Sequence, residues 1–271
     1  MKKLIALMAV FALTVSAAYA GNVEIKGSTT VLPLMQKVVD HFQKAHPEIS
    51  ISLSGGGSSN GAKALIDGTC DIAMMSRDMK DKEITAATDN GRAPVQHVVA
   101  FDCIVPIVNP GNAVGDLTRN QLLKIYTGEV TNWKDLGGAD AEIVVISRDT
   151  SSGTYDCWKD KIMESDGNKN KVFPGASLQA SNGAVAQAVA KNKLAIGYVG
   201  LAYVNSELKA VSVEGVPATT KTALDGSYPI SRGLNCYTPG APTGDVKTIL
   251  DFMMSPAGQD LAETTGFIKV Q

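Results

Sequence analysis

The chain has 271 residues, 44% hydrophobic and 19% charged, enough for one large domain or two ordinary lobes. Its formal net charge is −2, with 25 basic residues against 27 acidic ones and no basic run or stripe, so the composition gives no support to a nucleic-acid partner. An acidic chain that binds an anion must do so with local, oriented donors.

The first twenty residues read as an address. Lys2 and Lys3 open it, Leu4 to Val15 is almost wholly apolar, and Ala18-Tyr19-Ala20 forms an A-x-A cleavage site before Gly21. The apolar run is shorter than the roughly 20 residues of a membrane span. A secretory signal peptide over 1–20 is expected, with no lipid anchor because no cysteine follows the run.

Val23 to Lys26 reads as a strand, and Gly27-Ser28-Thr29-Thr30 as a turn. Val31, Leu34, Met35, Val38, Val39 and Phe42 recur at helical spacing, and His46-Pro47 ends that helix. Ile49, Ile51 and Leu53 alternate as a half-buried strand. After the turn Gly57-Ser58-Ser59-Asn60-Gly61, a helix over Ala62 to Ile66 and a strand over Cys70 to Met75 are predicted. Val98 to Val108 is a long β-like run broken by Pro106. A helix follows over Thr118 to Tyr126, then a strand over Ile143 to Ile146 and a helix over Tyr155 to Met163. A helix over Ala184 to Lys191 and a strand over Ala195 to Val199 complete the alternation. Helices over Val246 to Met254 and Ala257 to Thr264 close the chain. Strand, turn and helix in repetition predict an α/β fold with mostly parallel strands.

Three turns share one design: Gly27-Ser28-Thr29-Thr30, Gly57-Ser58-Ser59-Asn60-Gly61 and Ser151-Ser152-Gly153-Thr154. Each is small, hydroxyl-rich and placed between a strand and a helix. Helix N-termini carry unpaired N–H groups and a partial positive charge, so they attract anions. Ser and Thr are also ordinary helix caps, so one such turn decides little. Arg77 and Arg148 stand beside these turns, and an arginine fork suits two oxygens of a tetrahedral anion. A rival reading is a serine hydrolase: Gly57 to Gly61 fits G-x-S-x-G with Ser59 as nucleophile, His97 as base and Asp71, Asp78 or Asp89 as third member. No metal-ligand spacing or cofactor loop stands out. Cys70, Cys103, Cys157 and Cys236 are far apart in sequence, and an exported chain makes at least one disulfide plausible.

Taken together, Gly27-Ser28-Thr29-Thr30-Val31, Gly57-Ser58-Ser59, Asp71 to Arg77, Arg148 through Thr154, Ala195-Ile196-Gly197-Tyr198 and Tyr228 to Arg232 resemble the periplasmic phosphate-binding proteins of phosphate ABC transporters. The resemblance covers nearly the whole chain beyond the leader. It implies a two-lobed periplasmic binding protein fold whose α/β lobes, 21–102 plus 231–271 and 103–230, are joined by two crossing strands. It implies a non-enzymatic, cofactor-free monomer that delivers inorganic phosphate to an inner-membrane permease; sulfate or molybdate is the alternative ligand. The implied ligand set is Ser28, Thr29, Thr30, Val31, Ser58, Ser76, Arg77, Arg148, Ser152, Gly153 and Thr154. Some family members carry an aspartate where Ser76 stands here, so the Ser76 hydroxyl or the carboxylate of Asp78 is expected to accept the ligand's proton. Cys103 and Cys236 fall in the two crossing segments and are expected to pair.

Overall fold

The computed structural model describes residues 22–270; the expected leader, 1–20, and Gly21 lie outside the described residues. β1 (Asn22–Gly27), α1 (Leu32–Ala45) and β2 (Ser50–Ser54) form the first unit. α1 buries Leu34, Met35, Val38, Val39 and Phe42, the stripe its spacing foretold. α2 (Ser58–Asp67), β3 (Ile72–Met75) and α3 (Asp81–Asp89) follow. α3 escaped the sequence reading because it buries only Ala87, so it carries no apolar stripe. β4 (Pro94–Val108), β5 (Asp116–Leu117), α4 (Arg119–Thr127), β6 (Val144–Arg148) and α5 (Gly153–Trp158) come next, α5 running on into a π-helical turn over Lys159–Met163. Then come β7 (Ser177–Gln179), α6 (Asn182–Ala190), β8 (Ala195–Gly200), β9 (Lys209–Ala210), β10 (Ser212–Val213) and α7 (Thr220–Leu224). β11 (Ser231–Pro239), α8 (Gly244–Met254) and α9 (Pro256–Thr265) end the chain.

The main sheet runs β2-β1-β3-β11-β4-β8-β6-β7, with β9 also on β4. β1 is parallel to β2 and β3, and β6 is parallel to β7 and β8. The long strand β4 links the two groups. Its residues 94–103 pair antiparallel with β11, and residues 104–108 pair antiparallel with β8. Two large hydrophobic cores flank this junction. One gathers Val23, Ile25, Leu34, Met35, Ile72, Leu234, Ile249 and Phe267; the other gathers Ile104, Val105, Tyr126, Trp133, Trp158, Val185, Ile196 and Tyr228. A smaller cluster of Ala62, Leu65, Ala73, Met75, Met79 and Tyr237 packs α2 against the β3–β11 side.

Pro106 does not break β4, as the sequence suggested it would. Its carbonyl accepts from Val211 N–H at 2.9 Å, so its missing N–H points to the β9 side. The ladder to β8 continues on the other side, with Pro106 opposite Tyr198.

The expected Cys103–Cys236 disulfide is also overturned. Both cysteines lie on paired strands, but Cys103 sits opposite Ser231 and Cys236 opposite His97. Six register steps separate them, about 20 Å at roughly 3.3 Å per residue, far beyond the reach of a disulfide. All four cysteines are free thiols. Burial pushes Cys70, Cys103 and Cys236 up to about 12, so they are held as inert thiols.

Candidate functional site

The N-terminal ends of α1, α2 and α5 converge where the two cores meet. Before α1, Ser28 Oγ accepts from Thr30 N–H at 3.1 Å and Val31 N–H at 3.4 Å, folding the turn on itself. Before α2, Gly57 has φ +103°, and a Cβ there would strike the backbone of Ser151. α2 therefore starts at Ser58, four residues earlier than its apolar pattern suggested, and has no side-chain cap. Before α5, the Ser152 hydroxyl accepts from Tyr155 N–H. The close approach is specific: a Cβ on Gly153 would overlap Ser58 Oγ and Ser76 Oγ from the other core. Ser58 Oγ accepts from Ser76 N–H at 3.0 Å and lies 3.3 Å from Ser76 Oγ. Thr30 Oγ1 and Thr154 Oγ1 meet across the junction at 2.9 Å.

Arg148 ends β6 beneath this cluster, with 1% of its surface exposed. Nε donates to the Gln179 carbonyl at 3.0 Å, and Nη2 to the Ala180 carbonyl at 3.1 Å and Thr29 Oγ1 at 3.4 Å. Nη1 has no partner among the described residues, and no carboxylate pairs with this guanidinium. Burial pushes its pKa down, because a charge in low dielectric is penalised. An isolated buried cation is costly unless an anion compensates it. The arrangement can thus receive an anion: a buried guanidinium whose Nη1 has no partner among the described residues, three helix N-termini and a ring of hydroxyls.

Most of the residues expected from sequence come together here: Ser28, Thr29, Thr30, Val31, Ser58, Ser76, Arg148, Ser152, Gly153 and Thr154 are all buried. Arg77 does not join them as a free donor. Its guanidinium is bonded to Glu83 at 2.7 and 2.8 Å, to Asp156 at 2.6 Å and to Ser59 Oγ at 3.1 Å. Burial would raise the Glu83 pKa, but Arg77 and the Lys80 N–H hold it below the ordinary value. Asp78 is likewise occupied: its Oδ1 accepts from Gln96 at 2.9 Å and Asn235 at 3.3 Å. The hydrolase arrangement is not assembled. Ser59 faces Arg77, while His97 Nε2 lies 3.1 Å from Thr238 Oγ1.

Sequence reasoning missed four contributors. Asn182 donates to Thr29 Oγ1 at 3.2 Å and Thr30 Oγ1 at 3.0 Å. Arg232 reaches Thr30, Thr154 and the Ser76 carbonyl while paired to the fully buried Asp102. Tyr203 donates to the Thr29 carbonyl at 2.5 Å. Asn182 opens α6 just after the cap Ser181, and that cap was the available signal. A cleft lined by Arg77, Lys80, Asp156, Cys157, Lys161 and Arg232 lies beside the hydroxyl cluster rather than on it.

A profile described as the PBP superfamily domain matches residues 14–257. The phosphate-binding protein PstS of Borreliella burgdorferi is 32% identical over all of both chains. PstS of Bacillus subtilis is 31% identical over 93% of this chain and 81% of its own. Among solved structures, a substrate-binding protein from Clostridium perfringens, assigned to a phosphate ABC transporter and holding phosphate, superposes with a TM-score of 0.85 at 36% identity, covering 93% of this chain and all of its own. An ABC-type phosphate transport receptor from Vibrio cholerae gives a TM-score of 0.74 at 30% identity, covering 91% and 99%.

Proposed function

The chain belongs to the PBP superfamily and, within it, to the PstS phosphate-binding proteins, and from that premise we propose that it captures inorganic phosphate outside the cytoplasm and hands it to a membrane permease. The observation that carries this reading is Arg148: a buried guanidinium with no partner for Nη1 and no ion-paired carboxylate among the described residues. A tetrahedral dianion seated against it would compensate its charge and accept from the surrounding hydroxyls and helix N-termini. Ser28, Thr29, Thr30, Val31, Ser58, Ser76, Ser152, Gly153 and Thr154 would form the shell, with Arg77 outside it. The two cores support lobes of 21–102 plus 231–271 and 103–230, the ligand lying between them. Cleavage after Ala20 would release the mature protein to the periplasm, where it would act as a monomer.

Sulfate is the second reading, and one observation favours keeping it. Asp102 is taken up by Arg232, and Asp78 by Gln96 and Asn235. The Ser76 hydroxyl then remains to receive a ligand proton, and a hydroxyl discriminates less strongly than a carboxylate. Calorimetric titration with phosphate, sulfate and molybdate decides between them. Phosphate should bind tightest, and equal or tighter binding of sulfate would sink the phosphate assignment. An inert response to all three would sink the receptor reading.

A further inference from the structure

The phosphate reading makes no use of Asn182, Arg232 or Asp102, yet these residues set the direction of the hydrogen bonds around the ligand hydroxyls. Thr30 Oγ1 lies 3.0 Å from Asn182 Nδ2 and 3.3 Å from Arg232 Nη2. Both nitrogens can only donate. The Asn182 amide is oriented by Gly200 N–H, which donates to its Oδ1 at 3.2 Å and leaves Nδ2 facing the threonines. Both lone pairs of Thr30 are thereby occupied, so its proton goes to Thr154 Oγ1, 2.9 Å away. Thr154 Oγ1 also accepts from Arg232 Nη1 at 3.1 Å. Its lone pairs are then filled as well, and its own proton finds no further acceptor among the described residues.

Arg232 is held for this task. Nε and Nη2 donate to Asp102 Oδ2 at 3.1 and 2.8 Å, and Nη1 also reaches the Ser76 carbonyl at 3.1 Å. Asp102 is fully buried and its Oδ1 is fixed by Leu201 N–H at 2.9 Å. The pair is neutral as a unit, so it orients groups without adding the charge that Arg148 already supplies. We propose that Arg232, locked by Asp102, and Asn182 are positioning residues that fix the Thr30-to-Thr154 bond and so aim the Thr154 hydroxyl proton at the bound anion. A hydroxyl constrained to donate favours an ionised ligand oxygen over a protonated one at that corner of the site.

The test is a double-mutant cycle read by calorimetry with inorganic phosphate. Arg232→Lys keeps a cation for Asp102 but loses the fork that reaches both threonines, and should weaken binding on the order of tenfold. Thr154→Val should weaken it by a similar factor. The double variant should be no weaker than Thr154→Val within about threefold, because the group Arg232 positions is already gone. Asn182→Ala, which leaves the Asp102 pair intact, gives an independent cycle with the same expectation. Fold-losses that multiply in both cycles mark a merely structural role and overturn the proposal, as does unchanged affinity in Arg232→Lys and Asn182→Ala. If the unaltered protein fails to bind phosphate, the functional reading and this one fall together; failure of the cycles alone leaves the function standing.

Discussion

Arg148 and Arg77 show how little a residue's type says without its partners. Arg77 follows a strand and Arg148 ends one, and both stand beside hydroxyl-rich turns. Arg77 is saturated by Glu83 and Asp156, whereas Arg148 meets only carbonyls and one hydroxyl. The anion should therefore depend on Arg148 above all. Arg148→Ala should weaken phosphate binding by about 2–5 kcal/mol, the usual cost of truncating one partner of a buried charge pair. Arg148→Lys should recover only part of that, since a point charge replaces a planar fork. Titration calorimetry on the two variants checks the ranking, and an affinity within threefold of the original in Arg148→Ala would remove Arg148 from the site. The same variant should melt no lower without ligand, because it deletes an uncompensated charge. Serines and threonines of the three turns were legible as donors because each sits at a strand-to-helix turn. Asp102 was not, because nothing in the run Ala100 to Val108 marks one carboxylate as the partner of a side chain 130 residues away.

At the scale of elements, periodicity revealed what packing enforces and missed what local capping enforces. α1 was readable because one face enters a core. α3 was not, because its start rests on Glu83, whose carboxylate accepts from the Lys80 N–H at 2.9 Å and whose N–H donates to the Lys80 carbonyl at 2.7 Å, rather than on an apolar stripe. β4 was read as broken because a proline argues against a central strand, but its missing N–H falls outside the β8 ladder. The start of α5 carries the sharpest element-level constraint. Gly153 lies so near Ser58 and Ser76 that a methyl group cannot fit between the two cores as they stand. The overlap is with side chains of the opposite core, so separating the cores relieves it. Gly153→Ala should consequently lower phosphate affinity at least tenfold while shifting the unliganded melting temperature by no more than a few degrees, the reach of about 1 kcal/mol. Unchanged affinity would show that the cores need not approach this closely to hold the anion.

Across the whole molecule, the alternation of strand and helix was enough to foresee an α/β fold with mostly parallel strands, because each βαβ unit buries its own apolar face; the two lobes were implied by the family resemblance. The contacts that hold the two cores together were illegible, since they depend on side chains distant in sequence and on polar types that occur everywhere. Asp156 is the most consequential of these. It lies in the first turn of α5, and its carboxylate accepts from Arg77 Nε at 2.6 Å and from Lys80 Nζ at 3.0 Å, both from the other core. Its side chain is 14% exposed and that of Arg77 8%, so the Arg77 pair is poorly screened, while Lys80 at 42% adds less. None of the three residues touches the guanidinium of Arg148. They act instead on the balance between apposed and separated cores, and a ligand that needs both cores is bound more weakly when the apposed state is less populated. Asp156→Asn keeps the shape and removes the charge. It should weaken phosphate binding on the order of tenfold, with the loss falling mainly in the dissociation rate, since related variants of one site differ chiefly in how fast ligand leaves. Trp158, stacked on Tyr198 at 4.2 Å, gives an intrinsic fluorescence reporter for stopped-flow measurement of both rates. Arg77→Gln should reproduce most of the effect, and Lys80→Gln little of it. An Asp156→Asn protein whose dissociation rate matches the unaltered one would show that these ion pairs follow closure without governing it.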